Sequence, residues 1–138
     1  MRKDKVTLVQ PPLDSAFGIG IPLGLLTLAT ALEQTGITPY ILDFALEIFS
    51  KRLTINHGGL DFCVEAILKT EPKVIGFNIQ CASLPIVLAI IKRLKKYTSA
   101  KIVLGGPQSL AFVDQDLASV QNMLHIDCIF RVFCKASG

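Results

Sequence analysis

Short β-branched runs alternate along this chain with stretches in which apolar residues return every three or four positions. The first run, residues 5–9 (KVTLV), is stopped by Gln10-Pro11-Pro12, since proline withholds the N–H that a strand ladder needs. After a polar, glycine-containing loop, Leu25, Leu28, Ala29 and Leu32 recur at helical spacing, with Pro22 suited to a first helical position and Gly36 closing the helix. Residues 38–44 read as a second strand. Residues 45–59 read as irregular, with Asn56-His57-Gly58-Gly59 as a breaker cluster. Leu60, Val64, Ile67 and Leu68 form the next helical face, stopped by Glu71-Pro72. Residues 74–79 predict a third strand, Leu88, Ile91 and Leu94 after Pro85 a third helix, and residues 101–104 a fourth strand. Residues 110–120 are weakly helical, residues 127–131 predict a fifth strand, and 132–138 read as an irregular tail.

Strands alternating with helical crossovers imply an α/β domain with a parallel sheet covered on both faces. The expected architecture is one doubly wound, Rossmann-like or flavodoxin-like domain over residues 1–138, five-stranded, in the order 2-1-3-4-5. No internal repeat or linker divides it. Ligands of such sheets bind beyond the carboxyl ends of the strands, near the switch between the first and third. The residues standing there are Gln10, Pro11 and Pro12 after strand one, Asn78, Gln80, Cys81 and Ser83 after strand three, and Gly105, Gly106 and Pro107 after strand four. A glycine pair lets backbone approach a large flat ligand without Cβ contact, although composition alone favours a plain strand-to-helix turn. Asn78, Gln80 and Ser83 each donate and accept hydrogen bonds, and Ser83 equally suits a helix cap. Cys81 reads as a small buried hydrophobe ahead of a nucleophile, because no cation or base neighbours it in sequence. Asp43, ending strand two, serves equally to meet a ribose or to stop the strand.

Composition narrows the function classes. Hydrophobic residues make up 51% and charged residues 18% of the 138, with a mean hydropathy of +0.52. Such values fit strands buried on both faces or membrane spans. The uncharged stretches 15–32 and 74–91 are long enough to span, but Gly18, Gly20, Pro22, Gly24, Asn78, Gln80, Ser83 and Pro85 interrupt them, which is costly in lipid. No membrane span is expected. The net charge is +3, and Lys92-Arg93 with Lys95-Lys96 fall at a helix end, where cations complement the dipole. With Tyr97 the only nearby aromatic, no nucleic-acid face is expected. The four cysteines, Cys63, Cys81, Cys128 and Cys134, lack zinc-like spacing, and the amino terminus lacks signal-peptide features, so free thiols in a cytoplasmic protein are expected. Phe17-Gly-Ile-Gly-Ile-Pro lacks true dinucleotide spacing, there is no phosphate loop, and Gln10 and Asn78 stand where a phospho-receiver needs carboxylates. His57 reads as an exposed loop residue on the ligand edge, without companion metal ligands. His125 reads as lying at the opposite end of the sheet.

In order along the chain, Lys5-Val-Thr-Leu-Val-Gln-Pro-Pro, Pro22-Leu-Gly-Leu-Leu-Thr-Leu-Ala-Thr-Ala-Leu-Glu, Tyr40-Ile-Leu-Asp43, Val74-Ile-Gly-Phe-Asn and Lys101-Ile-Val-Leu-Gly-Gly-Pro resemble a cobalamin-binding domain. The nearest variety precedes a radical S-adenosylmethionine domain. The resemblance implies a corrinoid over the carboxyl edge, its nucleotide tail threaded between sheet and helices. Gly105 and Gly106 would line the tail's channel, and Asn78 and Gln80 would occupy the positions of the family's usual Ser/Thr contacts. Relatives carry a cobalt-ligating histidine in an Asp-x-His-x-x-Gly loop after strand one. Here that loop reads Pro11-Pro-Leu-Asp-Ser-Ala-Phe-Gly, so the resemblance implies no protein imidazole on the lower face and no metal-ligating residue. Such a face would suit methyl transfer to a substrate radical. Where the family continues with Arg-Gly-Glu-Gly-Glu and a Cys-x-x-x-Cys-x-x-Cys cluster motif, this chain reads Arg131-Val-Phe-Cys134-Lys-Ala-Ser-Gly. The expectation is therefore a cobalamin-binding module without catalysis of its own. It would be the front of a larger enzyme (a shortened product, an engineered fragment or one half of a split gene), with iron–sulfur cluster and S-adenosylmethionine held by a radical S-adenosylmethionine domain in cis or trans. The alternatives are a cofactor-free interaction or vestigial domain, and a small enzyme using Cys81.

Overall fold

The computed structural model describes residues 4–13, 20–106 and 126–129. Four hydrophobic or β-branched residues and Gln10 form the strand β1 (Val6–Gln10), every one buried. Helix α1 (Leu23–Gln34) returns the chain to β2 (Tyr40–Asp43), followed at once by α2 (Phe44–Phe49). Helix α3 (His57–Lys69) leads to β3 (Val74–Asn78), then a 3-10 turn (Cys81–Ser83), α4 (Leu84–Leu94) and β4 (Lys101–Gly105). All strand pairs are parallel, in the order β2-β1-β3-β4, and Cys128–Ile129 adds a two-residue member on the outer edge of β4.

The α/β class and the order of the first four strands are as expected. A fifth strand over 127–131 is not seen at that length. Asp127 meets Ile102 N–H with its carboxylate at 2.8 Å while its own N–H reaches Ile102 O at 3.0 Å, so the regular ladder begins only at Cys128, opposite Val103. The bond from Ile102, helped by Lys101 and Lys95, holds the Asp127 carboxyl below its ordinary range. Residues 130–131, the tail 132–138, the weak helix over 110–120 and His125 lie outside the described residues.

The stretch 45–59 is not irregular. Phe44 and Ala45 are buried as the start of α2, capped by Asp43 Oδ1 accepting from Leu46 N–H at 3.0 Å. The breaker cluster is a helix start: extended Asn56 accepts from Gly59 N–H at 2.8 Å, and α3 begins at His57. Gly59 is required there because a Cβ would collide with the Thr54 carbonyl oxygen. An Asx cap makes the N–H groups of a glycine pair useful, and it outweighs the poor helix propensity of glycine.

Two cores flank the sheet. On one face Cys63, Val64 and Ile67 of α3 and Val87, Ile90, Ile91 and Leu94 of α4 pack on Val9, Ile75, Phe77, Ile79, Ile102 and Leu104. On the other, α1 covers Val6 and Leu8 with Leu25 and Ala29. Leu28, expected on the buried side of α1, is 47% exposed, because the short residue Ala29 sits directly over β1. The stretch 74–91 folds as strand, turn and helix, and no described helix is long and apolar enough to cross a membrane. Burial also pushes the Cys63 thiol up to about 12. Alkylation with iodoacetamide at pH 8 should therefore leave the Cys63 peptide unmodified in native protein and modify it in denaturant, as read by mass spectrometry.

Candidate functional site

Side-chain alternation sorts the carboxyl ends of the strands by face. Val6 and Leu8 face α1, so Gln10 does too, and register places Asp43 beside Gln10 and Gly105 beside Asn78. Val74 also packs on the α1 side, which puts Gly76 and Asn78 there. Asp43, Gln10, Asn78 and Gly105 thus form one row across β2, β1, β3 and β4 at the carboxyl edge. One step below lie Ile41, Leu8, Gly76 and Val103.

The two faces of β3 and β4 differ sharply. Ile75, Phe77, Ile79, Ile102 and Leu104 are all 0–2% exposed on the α3/α4 side, whereas Gly76, Asn78, Val103 and Gly105 are only half-buried on the α1 side. Among the described residues, a lane with little side-chain bulk therefore runs over β3 and β4 on that face. Its floor narrows at Gly76, where Leu8 Cδ2 lies 3.1 Å from the position a Cβ would take. Its mouth is at Gly105, where a Cβ would meet nothing within 4 Å among the described residues.

The predicted residues divide accordingly. Gln10 and Asn78 come together: Asn78 Nδ2 donates to Gln10 Oε1 at 2.8 Å across the β1–β3 boundary. Pro11 and Pro12, which follow Gln10 in the chain, are buried. Gly105 and Gly106 have separate roles. Gly105 has no described neighbour within 4 Å of where a Cβ would stand. Gly106 (φ +103°) is structural, since a Cβ would strike Asn78 Oδ1 and come 2.8 and 2.9 Å from Ile79 O and N. The Ile79 N–H also donates to Gly105 O at 2.7 Å, which pins the two strand ends. Ser83, 1% exposed, turns back on Gln80, accepting from Gln80 N–H at 3.0 Å and donating to Gln80 O at 3.1 Å. It makes no side-chain cap bond to α4. Its hydroxyl stabilises the 3-10 turn from within. Cys81 opens that turn, but its side chain lies outside the described residues, as does Pro107.

Two other sequence candidates are engaged elsewhere. Asp43 caps α2, as above. His57 is the first residue of α3, and its Nδ1 stands 3.0 Å from Arg93 Nη2, while Arg93 Nη1 donates to His57 O at 3.1 Å and Asp61 Oδ1 at 2.9 Å. Guanidinium only donates, so Nδ1 is the acceptor. Arg93 lies in the last turn of α4, about 14 Å along that helix from its start at the carboxyl edge. His57 thus belongs to the α3–α4 contact, away from the ligand edge where the loop reading put it. No cluster of metal-ligating side chains occurs among the described residues. The sequence did not signal the Gln10–Asn78 bond. Only the pairing of β1 with β3 brings those positions side by side.

Compared with protein families, residues 10–131 match the B12 binding domain. The chain belongs to the B12-binding domain family. Comparison with curated proteins and with solved structures gives no match. Membership gives the domain a ligand class, cobalamin. A corrinoid is large, flat and tailed, and the lane on the α1 face combines low side-chain bulk with an open mouth at Gly105. Gly106→Ala should cost about 2 kcal/mol of stability, through strained backbone and the clash with Asn78, while Gly105→Ala should stay within about 0.5 kcal/mol of the parent. Urea denaturation followed by circular dichroism measures both.

Proposed function

We propose that this B12-binding domain holds cobalamin with the corrin over the carboxyl ends of β1, β3 and β4 and the nucleotide tail along the α1 face of β3 and β4. The observation that carries the reading is the half-buried lane ending at Gly105, opposite a face of the same two strands that is fully packed. Gly105 would let the tail pass, Gly106 would hold Asn78 in place, and Gln10 and Asn78 would offer polar groups at the mouth. Pro11 and Pro12 would stiffen the chain where it leaves β1. Gln80, Cys81, Ser83 and Pro107 would frame the rim, with Ser83 acting through the turn it stabilises.

The lower axial position receives no protein histidine in this reading. What supports it is the histidine-free loop after β1 and the engagement of His57 by Arg93. Bound cobalamin supplies a cobalt centre that can carry a methyl group. The chain's own residues bind and orient it, and a radical S-adenosylmethionine domain in cis or trans, holding the iron–sulfur cluster and S-adenosylmethionine, would use it for methyl transfer. Support for that partner is the resemblance of the strand and helix motifs to the variety that precedes such domains. The coding sequence downstream of Gly138 tests it directly: an in-frame cluster motif, or a neighbouring gene carrying one, is the expected finding.

Adding hydroxocobalamin to the purified protein should shift the corrin absorbance and carry the pigment through gel filtration with the protein. A folded protein that produces neither change overturns the proposal. Gly105→Val should fold normally and bind about tenfold more weakly, equivalent to ~1.4 kcal/mol. His57→Ala should leave the bound spectrum unchanged; an altered spectrum would place an imidazole on cobalt.

One observation favours a second reading, a cofactor-free interaction domain. The Asn78 carboxamide bridges to Gln10 and lies against Gly106, so it partly fills the mouth between β1 and β4. Thermal melting separates the two, since a tight ligand at a hundredfold excess over Kd adds about 2.7 kcal/mol. An unchanged midpoint with excess hydroxocobalamin is the result the second reading requires.

A further inference from the structure

Gln10 is the one buried polar side chain of the edge row that is not fully used. It is 8% exposed, and its Oε1 accepts from Asn78 Nδ2 at 2.8 Å. Its Nε2 has no hydrogen-bond partner among the described residues. A carboxamide nitrogen carries two donors, and leaving buried donors unpaired costs about 1–3 kcal/mol. Few such groups survive in folded proteins without a function. The bond from Asn78 decides the orientation of the amide: with Oε1 engaged by Asn78, both Nε2 donors remain for a ligand at the carboxyl edge.

The electrostatics of the rim select the acceptor. Segments 10–13, 20–23, 43–46, 78–83 and 105–106 contain no lysine or arginine, and Asp43 is their one charged residue. An anionic acceptor buried there would lack a compensating charge, which is costly. A neutral carbonyl acceptor incurs no such cost. Corrinoids carry several primary carboxamides around the ring edge, and an amide donor pairs with an amide carbonyl at ordinary hydrogen-bond length.

From this we propose that Gln10 is a specificity-determining residue that donates from Nε2 to a carboxamide carbonyl on the corrin periphery, so that the cation-free rim selects the amidated corrinoid over its carboxylic acid. The inference rests on the cobalamin-binding reading above and goes beyond it by naming the donor, the acceptor and the ligand discriminated against. Asn78 acts here as a positioning residue, orienting Gln10.

Gln10→Glu retains an oxygen to accept from Asn78 and replaces the free donor with an acceptor. Gln10→Met removes both functions at similar volume. Equilibrium titrations followed by corrin absorbance would compare the parent and both variants against hydroxocobalamin, against cobinamide, which keeps the ring amides and lacks the nucleotide loop, and against cobalamin monocarboxylates. The parent should bind the monocarboxylates about tenfold more weakly than cobalamin. Gln10→Met should lose about fivefold and Gln10→Glu about tenfold in affinity, by equal factors for cobalamin and cobinamide. Equal affinity of the parent for amide and carboxylate forms overturns the inference even if neither variant folds. So does a Gln10→Met protein that binds like the parent, or a loss confined to cobalamin, which would put the acceptor in the nucleotide loop. A parent that binds no corrinoid at all defeats the functional reading itself, a result distinct from each of these.

Discussion

The dry packing of β3 and β4 against α3 and α4 is the constraint on which the rest of the domain depends. Ile75, Phe77, Ile79, Ile102 and Leu104 are sealed on that face by Val87, Ile90, Ile91 and Leu94. Each fully buried aliphatic or aromatic side chain contributes about 1.5–3 kcal/mol, so one face alone holds the two strands in place. The opposite face is then free of the duty of holding them. It can carry Gly76 and Gly105, leave Val103 half-buried, and still keep its register with β1.

Polar detail at the carboxyl edge follows from that rigidity. Asn78 spans the junction of β1, β3 and β4, bonded to Gln10 on one side and lying against Gly106 on the other. Both contacts need strand ends fixed to within a fraction of an ångström, which the buried ladder and the Ile79–Gly105 bond provide. Four of the ion pairs among the described residues sit at the other end of the sheet. Lys5–Glu71 and Lys73–Asp4 join the starts of β1 and β3, and Lys95 and Lys101 flank Asp127 at the start of β4. The described carboxyl-edge segments 10–13, 20–23, 43–46, 78–83 and 105–106 carry a single charged residue, Asp43.

Much of this was legible in advance because it depends on local pattern. Short runs rich in β-branched and apolar residues located β1, β3 and β4, the first stopped by Pro11-Pro12 and the last by Gly105-Gly106, and the apolar spacing around Ile67 and Ile91 located α3 and α4. The misreadings have a common cause. Asn56-His57-Gly58-Gly59 looked like a breaker because glycine opposes helix, yet an Asn56 side chain satisfying Gly59 N–H reverses the outcome. Ser83 looked like a cap for α4, yet its hydroxyl found Gln80 first. Leu28 matched the helical period and nonetheless faces outward, because a narrow contact over β1 is filled by Leu25 and Ala29. In each case a single side-chain hydrogen bond or packing contact outweighed the average preference on which pattern reading rests.

By itself the sequence determined the class of the domain, the order of its four long strands and the residues gathered at their carboxyl ends. These follow from hydrophobic periodicity and the handed, parallel connection of strands, which leave few alternatives. Only the tertiary structure decided how those residues divide the work. It separated Gly105, where a Cβ would meet no described atom within 4 Å, from Gly106, closed on Asn78. It moved His57 to Arg93 and joined Gln10 to Asn78 across strands whose pairing partners are 68 residues apart in the chain. Spacing along a chain carries no information about which polar atoms meet across a sheet, because that depends on register and on the volume left by neighbouring side chains.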